Sequence, residues 1–366
     1  MKLYIIAGEA SGDLHGSNLI KALKDIHPGV ECRVWGGEMM QDAGGHLVKH
    51  YRELAFMGFV EVLVNLRTIM GNIRFCKKDI AAFQPDAVIL IDYPGFNLRI
   101  ARWLRASVNA GKMKTKIVYY ISPQIWAWHK SRVHAIKRDI DKMLVILPFE
   151  TAFYQQYQVA STFVGHPLLD VIPATIRTNA AATKKIALLP GSRRQEVKKI
   201  LPVMLSVTDA FPDYTFTIAA STALPKDYYA SFARDYPNVK IVSGDTYQVL
   251  RDADAALVKS GTSTLETALL GTPQVVCYAG NPISFAIAKR IVNIKYISLV
   301  NLIADAPVVS ELIQDELNSA HLITALQEIL APEKRKTLQL EYARIRSVLG
   351  ESGASFNAAK AILDLC

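Results

Sequence analysis

Cysteine is scarce. Cys32, Cys76, Cys277 and Cys366 are the four in 366 residues. No pair has Cys-x-x-Cys or metal-ligand spacing, which argues against a disulfide framework and a zinc site and for a reducing compartment such as the cytoplasm. No His/Cys cluster with metal spacing is found, so neither a metal nor an organic cofactor is expected. Long hydrophobic runs are also missing. No stretch reaches the ~20 consecutive apolar residues that span a bilayer. The opening Met1-Lys2-Leu3-Tyr4-Ile5-Ile6-Ala7 breaks at Gly8-Glu9, too soon for a signal peptide. Gly-x-Gly-x-x-Gly is absent, which argues against a nicotinamide enzyme.

Acidic charge is in deficit, with 33 Asp and Glu against 42 Lys and Arg, a formal net charge of +9. The excess concentrates between residues 99 and 142, where 11 basic residues meet two acidic ones. Nucleic acid, anionic lipid or a phosphorylated substrate would each suit that segment, as would a plain solvated face. No nucleic-acid-binding motif accompanies it.

Apolar runs of strand length alternate with helical periodicity. Strands are expected at 3–7, 87–91, 117–121, 143–147, 186–189, 216–219, 239–242, 255–258 and 274–277, several continuously apolar as in parallel strands covered on both faces. Helical patterns lie between them, as at 14–26, 98–107, 195–211 and 264–270. This alternation predicts an α/β fold of doubly wound, Rossmann-like units. The pattern restarts after an Ala/Thr/Pro-rich stretch at 172–185. That predicts one domain over 1–170 and a second over 171–345, with a terminal helical segment at 346–366 that returns to the first domain or to a partner subunit.

Six segments carry candidate chemistry. Gly8-Glu9-Ala10-Ser11-Gly12-Asp13-Leu14-His15-Gly16 follows the first strand and opens a helix, where doubly wound folds bind ligands. It is either a catalytic loop holding Glu9, Asp13 and His15 or a turn capped by Ser11 or Asp13. Asp92 ends a buried strand. Partly dehydrated there, it suits a general base, although it could simply cap the turn before Pro94. Ser122-Pro123-Gln124-Ile125-Trp126-Ala127-Trp128-His129-Lys130 suits a sugar face or a lipid interface, or a packed aromatic loop. Leu189-Pro190-Gly191-Ser192-Arg193-Arg194-Gln195-Glu196 offers amide N–H groups and a guanidinium to a diphosphate, or is a capped helix with surface arginines. Lys259-Ser260-Gly261-Thr262-Ser263-Thr264-Leu265-Glu266 exposes further amides. Glu266 either accepts ribose hydroxyls or forms a capping box with Ser263. The apolar run 54–66, with Phe56, Met57, Phe59, Val60 and Leu63, is followed by Arg67, Arg74, Lys77 and Lys78. It reads as an interfacial helix or as a core helix.

The ordered set of these motifs, together with Leu147-Pro148-Phe149-Glu150, resembles the lipid-A-disaccharide synthases, from the first strand to about Asn301 and more loosely beyond. The resemblance implies the two-domain GT-B fold, with both Rossmann-like domains facing a cleft. It implies an inverting transfer of 2,3-diacylglucosamine from UDP to the 6-hydroxyl of 2,3-diacylglucosamine 1-phosphate, giving a β-1,6 disaccharide and UDP. It matches Asp92 to a carboxylate needed for activity, and Arg193, Glu266 and Asn301 to the nucleotide side. The 54–66 run with Trp126 and Trp128 becomes an acceptor and membrane surface. The implied setting is peripheral, on the cytoplasmic face of the inner membrane of Gram-negative bacteria, and the resemblance admits a homodimer. The alternatives are another UDP-N-acetylglucosamine-using enzyme of the same fold, either a soluble transferase or a 2-epimerase, and a membrane-docking protein without catalysis.

Overall fold

The computed structural model describes residues 1–54, 66–126, 130–173, 183–280, 285 and 295–366. The chain forms two compact units. One is Met1–Val171 with Leu349–Cys366, and the other is Ile172–Val348.

The first unit alternates strand and helix: β1 (Lys2–Ala7), α1 (Ala10–Ile26), β2 (Glu31–Gly36), α2 (Glu38–Asp42), β3 (His46–His50), α3 (Leu66–Phe83), β4 (Ala87–Ile91), α4 (Pro94–Asn109), β5 (Lys116–Tyr120), α5 (Arg132–Asp139), β6 (Lys142–Val145), α6 (Pro148–Gln156), β7 (Ser161–Phe163) and α7 (Leu168–Val171). Among the described residues the strands form one parallel sheet, ordered β3-β2-β1-β4-β5-β6-β7. Every residue of β4 is buried, as expected of a central parallel strand with helices on both faces. One chain of polar groups runs through this core. The Trp35 indole donates to Tyr4 Oη at 2.7 Å, Tyr4 donates to Asp79 at 2.6 Å, and Arg33 grips the same carboxylate with two nitrogens. That chain ties β1 and β2 to α3 without leaving an orphaned donor.

The second unit repeats the scheme: β8 (Lys185–Leu189), α8 (Arg194–Leu205), β9 (Thr215–Ala220), α9 (Lys226–Ala233), β10 (Val239–Ser243), α10 (Thr246–Asp252), β11 (Ala255–Lys259), α11 (Thr262–Leu269), β12 (Gln274–Tyr278), α12 (Leu299–Ala304), β13 (Glu311–Ile313), α13 (Ser319–Leu330) and α14 (Pro332–Val348). Its sheet is ordered β10-β9-β8-β11-β12-β13.

From Leu349 the chain rejoins the first unit, where α15 (Ala354–Leu363) packs along α1. Asp170 fastens it. Its carboxylate accepts from the amides of Gly353, Ala354 and Ser355 and from the Ser355 hydroxyl, at 2.6 to 3.1 Å. An acceptor at a helix start satisfies amides that have no partner inside the helix.

Four strands go beyond the sequence expectation: β2, β3, β7 and β13. Three lie at sheet edges, and all four carry polar residues that break an apolar run. An edge strand needs only one covered flank, so its pattern is weaker. Among the described residues, no helix is long and apolar enough to cross a membrane.

Candidate functional site

In each sheet the first strand is flanked by strands that wind away in opposite directions. The order therefore reverses between β1 and β4, and again between β8 and β11. Loops leaving neighbouring strands part at such a place and open a crevice beyond the strand ends. The sequence motifs fall at these two places. Glu9 and Asp92 follow β1 and β4, while Gly191–Arg193 and Ser260–Gly261 follow β8 and β11.

At the first crevice Asp92 and Tyr93 adopt left-handed backbone, with φ of +42° and +46°. Two such residues in succession, neither of them glycine, cost energy and persist only where the surroundings impose them. The Tyr93 ring lies over Gly8, where an added Cβ would fall 2.4 Å from it. Glycine at position 8 thus lets the two loops stack. Tyr93 Oη also donates to the Leu54 carbonyl at 2.7 Å. Asp92 is half-buried. Burial first, and then the negative charge of Glu9, raise its carboxyl to about 7, against a backbone bond at Tyr93 that lowers it. A carboxylate with that affinity for protons is matched to accepting one near neutral pH. Glu9 is the N-cap residue of α1.

Two other candidates from this loop have different employment. Asp13 is buried, and its carboxylate accepts from the amides of Gly37 at 2.7 Å, Met39 at 3.2 Å and Met40 at 3.1 Å. It caps α2 and ties it to α1, so its geometry is structural rather than catalytic. The α1 N-cap is Glu9, not Ser11 or Asp13. His15 is buried, and burial holds its imidazole down at about 4, with Asp170 opposing. Its neighbour His166 is held down at about 3 by burial and by His15. Both rings are neutral near pH 7 and belong to the interior that receives α15.

Trp126 lies in the loop after β5, and its indole N–H is engaged. It donates to Glu150 Oε1 at 3.2 Å, and its ring meets Phe149 edge-on at 5.0 Å. Glu150 is buried and also accepts from the amides of Ile146 and Leu147. Burial pushes its carboxyl up to about 7. Phe56, Met57, Phe59, Val60, Leu63 and Trp128 lie outside the described residues.

The second crevice collects positive charge. Gly191 has φ of +107°, and a Cβ there would fall 2.5 Å from the Glu196 carboxylate. Around that carboxylate stand the Ser192 amide at 3.3 Å, Arg193 at 3.3 Å and Lys259 Nζ at 2.9 Å. Lys259 comes from the end of β11, so Glu196 joins both loops. Arg194 stacks over the Tyr228 ring at 4.7 Å, which leaves Arg193 as the guanidinium beside the Gly191–Ser192 turn. Ser260 Oγ donates to the Ile297 carbonyl at 3.0 Å. Thr262 is exposed in the first turn of α11, behind its N-cap Gly261.

The capping box does not form. Gly261 is the N-cap, and Ser263 lies inside α11. Glu266 instead receives the Tyr247 hydroxyl at 3.3 Å, and burial raises its carboxyl above the usual range. Asn301 is bonded within its own unit. It is buried, its Nδ2 donates to the Val309 carbonyl and to Glu311, and its Oδ1 accepts from the Val309 amide, each at 2.9 Å. With these bonds made, its amide pins the segment before β13.

Sequence reasoning missed Tyr247, and it quoted Glu196, Lys259 and Glu150 within motifs without giving them a role. Glu196 lies three residues after Arg193 and Lys259 opens the Ser260 motif, so spacing alone contained the signal. Sequence reasoning also passed over two Asp-x-Asp pairs, Asp139 with Asp141 and Asp252 with Asp254, the spacing of a metal-diphosphate motif. Their carboxylates meet Arg138, Arg105, Lys185 and Arg335 instead.

The family model described as lipid-A-disaccharide synthetase matches residues 3–363. The lipid-A-disaccharide synthase of Syntrophus aciditrophicus is 41% identical, covering 99% of this chain and 97% of that protein. The one from Trichlorobacter lovleyi is 36% identical over 100% and 97%. Among solved structures, a UDP-GlcNAc 2-epimerase from Neisseria meningitidis bound to UDP-GlcNAc superposes with a TM-score of 0.68 at 12% identity, covering all of both chains. The glycosyltransferase of kitacinnamycin gives 0.66 at 15%, covering 99% and 98%. These two likenesses show the GT-B type of fold. Over nearly its whole length, this chain belongs to the lipid-A-disaccharide synthase family of glycosyltransferases.

Proposed function

We propose that this enzyme transfers 2,3-diacylglucosamine from UDP to the 6-hydroxyl of 2,3-diacylglucosamine 1-phosphate with inversion, and that Asp92 is the base. The observation that carries the reading is a half-buried carboxyl held near neutrality at the β1/β4 crevice. Inversion is one in-line displacement. Asp92 takes the proton of the acceptor hydroxyl as its oxygen forms the bond to the anomeric carbon. The bond from that carbon to the β-phosphate oxygen breaks, and UDP leaves with the electron pair. On the second unit, the amides after Gly191 and Ser260, with Arg193 and Lys259, would meet the charge gathering on the diphosphate. Glu266 would accept the ribose hydroxyls, with Tyr247 orienting it. Glu9 serves by raising the proton affinity of Asp92.

Peripheral attachment to the cytoplasmic face of the inner membrane is part of the same proposal. Arg67, Met70, Arg74 and Lys78 recur along one exposed face of α3, with Phe75 beside them. Arg99, Arg102, Lys112, Lys114 and Lys116 are exposed nearby in sequence. Cations beside exposed apolar side chains suit anionic lipid and a 1-phosphate headgroup. A homodimer is also proposed, on the resemblance alone.

The test mixes purified protein, UDP-diacylglucosamine and diacylglucosamine 1-phosphate in detergent. Coupled appearance of UDP and disaccharide is expected. UDP release that does not require the acceptor would overturn the transfer.

A further inference from the structure

Asp92 is held from both sides of its own backbone. Its amide donates to the Tyr120 carbonyl at 3.2 Å. Its carbonyl accepts two side-chain donors, Tyr119 Oη at 2.5 Å and Asn97 Nδ2 at 2.7 Å. Asn97 Nδ2 also reaches the carbonyl of Ile91, the last residue of β4, at 3.1 Å. Tyr119 and Asn97 are both fully buried and come from different elements, β5 and α4. The peptide groups flanking the Asp92 Cα are therefore clamped to a strand and a helix while φ sits at +42°. An extended residue here would prolong β4 and project its side chain from one face of the sheet. The left-handed turn redirects it, and such a conformation needs over-determination to persist.

We infer that Tyr119 and Asn97 are positioning residues for the transfer, fixing Asp92 in its left-handed conformation and so aiming its carboxylate at the acceptor hydroxyl. The inference rests on the reading of Asp92 as base. Burial, and then the charge of Asp92, push the Tyr119 hydroxyl well above its ordinary value, which keeps it a donor throughout the working range. The competing account is that the two side chains merely satisfy a buried carbonyl. It predicts lost stability with unchanged turnover per folded molecule. Positioning predicts a split in which chemistry suffers and binding does not, because a misplaced base costs rate without removing a substrate contact.

Tyr119→Phe keeps the ring and deletes the donor, and Asn97→Ala is the second variant. Each is checked for native circular dichroism and assayed from pH 5.5 to 9. The charged groups that bear on the Asp92 site are Glu9 from the β1 loop and Arg99 from α4, with Arg132 near Tyr119. None is altered by the variants. We expect kcat to fall at least tenfold, with KM for both substrates within twofold. The acid limb near 7 should move down as the loosened carboxyl gains water. Asp92→Asn alone and combined with Tyr119→Phe completes a cycle. The second change should cost little once the carboxylate is gone. If Asp92→Asn kept its turnover, the base reading would fail. If Asp92→Asn lost it while Tyr119→Phe kept wild-type kcat and an unmoved limb, the positioning inference alone would fail.

Discussion

Replacing Asp92 by asparagine should make the enzyme at once more stable and nearly inactive, and the size of both effects follows from the crevice. The Asp92 carboxyl is raised from 3.8 to about 7, chiefly by burial. Each unit of displacement corresponds to ~1.36 kcal/mol, so ionising it in a dry site would cost about 4 kcal/mol. Partial exposure of the residue screens this to about 1–2 kcal/mol. The sign is that of a group whose proton is held more tightly in the folded state. The contribution of Asp92 to stability is greatest below the ordinary carboxylate range, declines between about pH 4 and 7, and stays lower above that. Asparagine carries no charge and tolerates left-handed backbone well. Asp92→Asn should therefore melt about 3–6 °C higher than wild type at pH 8 and coincide with it near pH 4. Turnover should fall by about 10²–10⁴, the usual contribution of a general base. Thermal scans by circular dichroism across pH, beside steady-state UDP release, measure both. Equal melting at pH 8, or turnover within a few-fold of wild type, would refute the account of a desolvated base.

Three other variants probe the surrounding design. Gly8→Ala pushes a methyl into the Tyr93 ring and should destabilise by about 1–3 kcal/mol in denaturant titration, with turnover falling because the two loops no longer stack. Arg193→Ala should raise KM for the UDP-sugar by about 10–100-fold, the worth of a charge-assisted bond. Arg194→Ala, whose guanidinium rests on Tyr228, should change it little. Asp170→Ala removes the acceptor for three amides and a hydroxyl at the start of α15, costing about 1–3 kcal/mol. Hydrogen exchange should then show faster labelling confined to 349–366 and the facing side of α1.

The architecture was legible because central parallel strands need apolar residues on both faces. Runs such as 87–91 and 255–258 announce themselves and lie where expected. Position within a sheet was not legible. β3, β7 and β13 are edge strands carrying His46, Ser161 and Glu311, the last holding the amides of Ile297 and Ser298, and their pairing depends on partners elsewhere in the chain. At the site, residue type and place after a strand singled out Asp92, Arg193 and Glu266. The same signs also singled out Asp13 and His15, and the resemblance added Asn301; Asp13 holds backbone amides, His15 is a buried neutral ring, and Asn301 holds a local turn. A strand-to-helix loop uses acids and amides for capping as readily as for catalysis, and sequence spacing cannot separate the two.

By itself, then, the order of residues determined two doubly wound units, the loops that matter and the family. Those depend on local pattern and motif, which survive without knowing what touches what. Tertiary structure alone decided the surroundings of each carboxyl. It places Asp92 in left-handed backbone under Tyr119 and Asn97, beside Glu9 and partly out of water, while giving Asp13 three amides to hold. The physical reason is that proton affinity and aim are set by neighbours from β5, α4 and the first loop, tens of residues away in the chain.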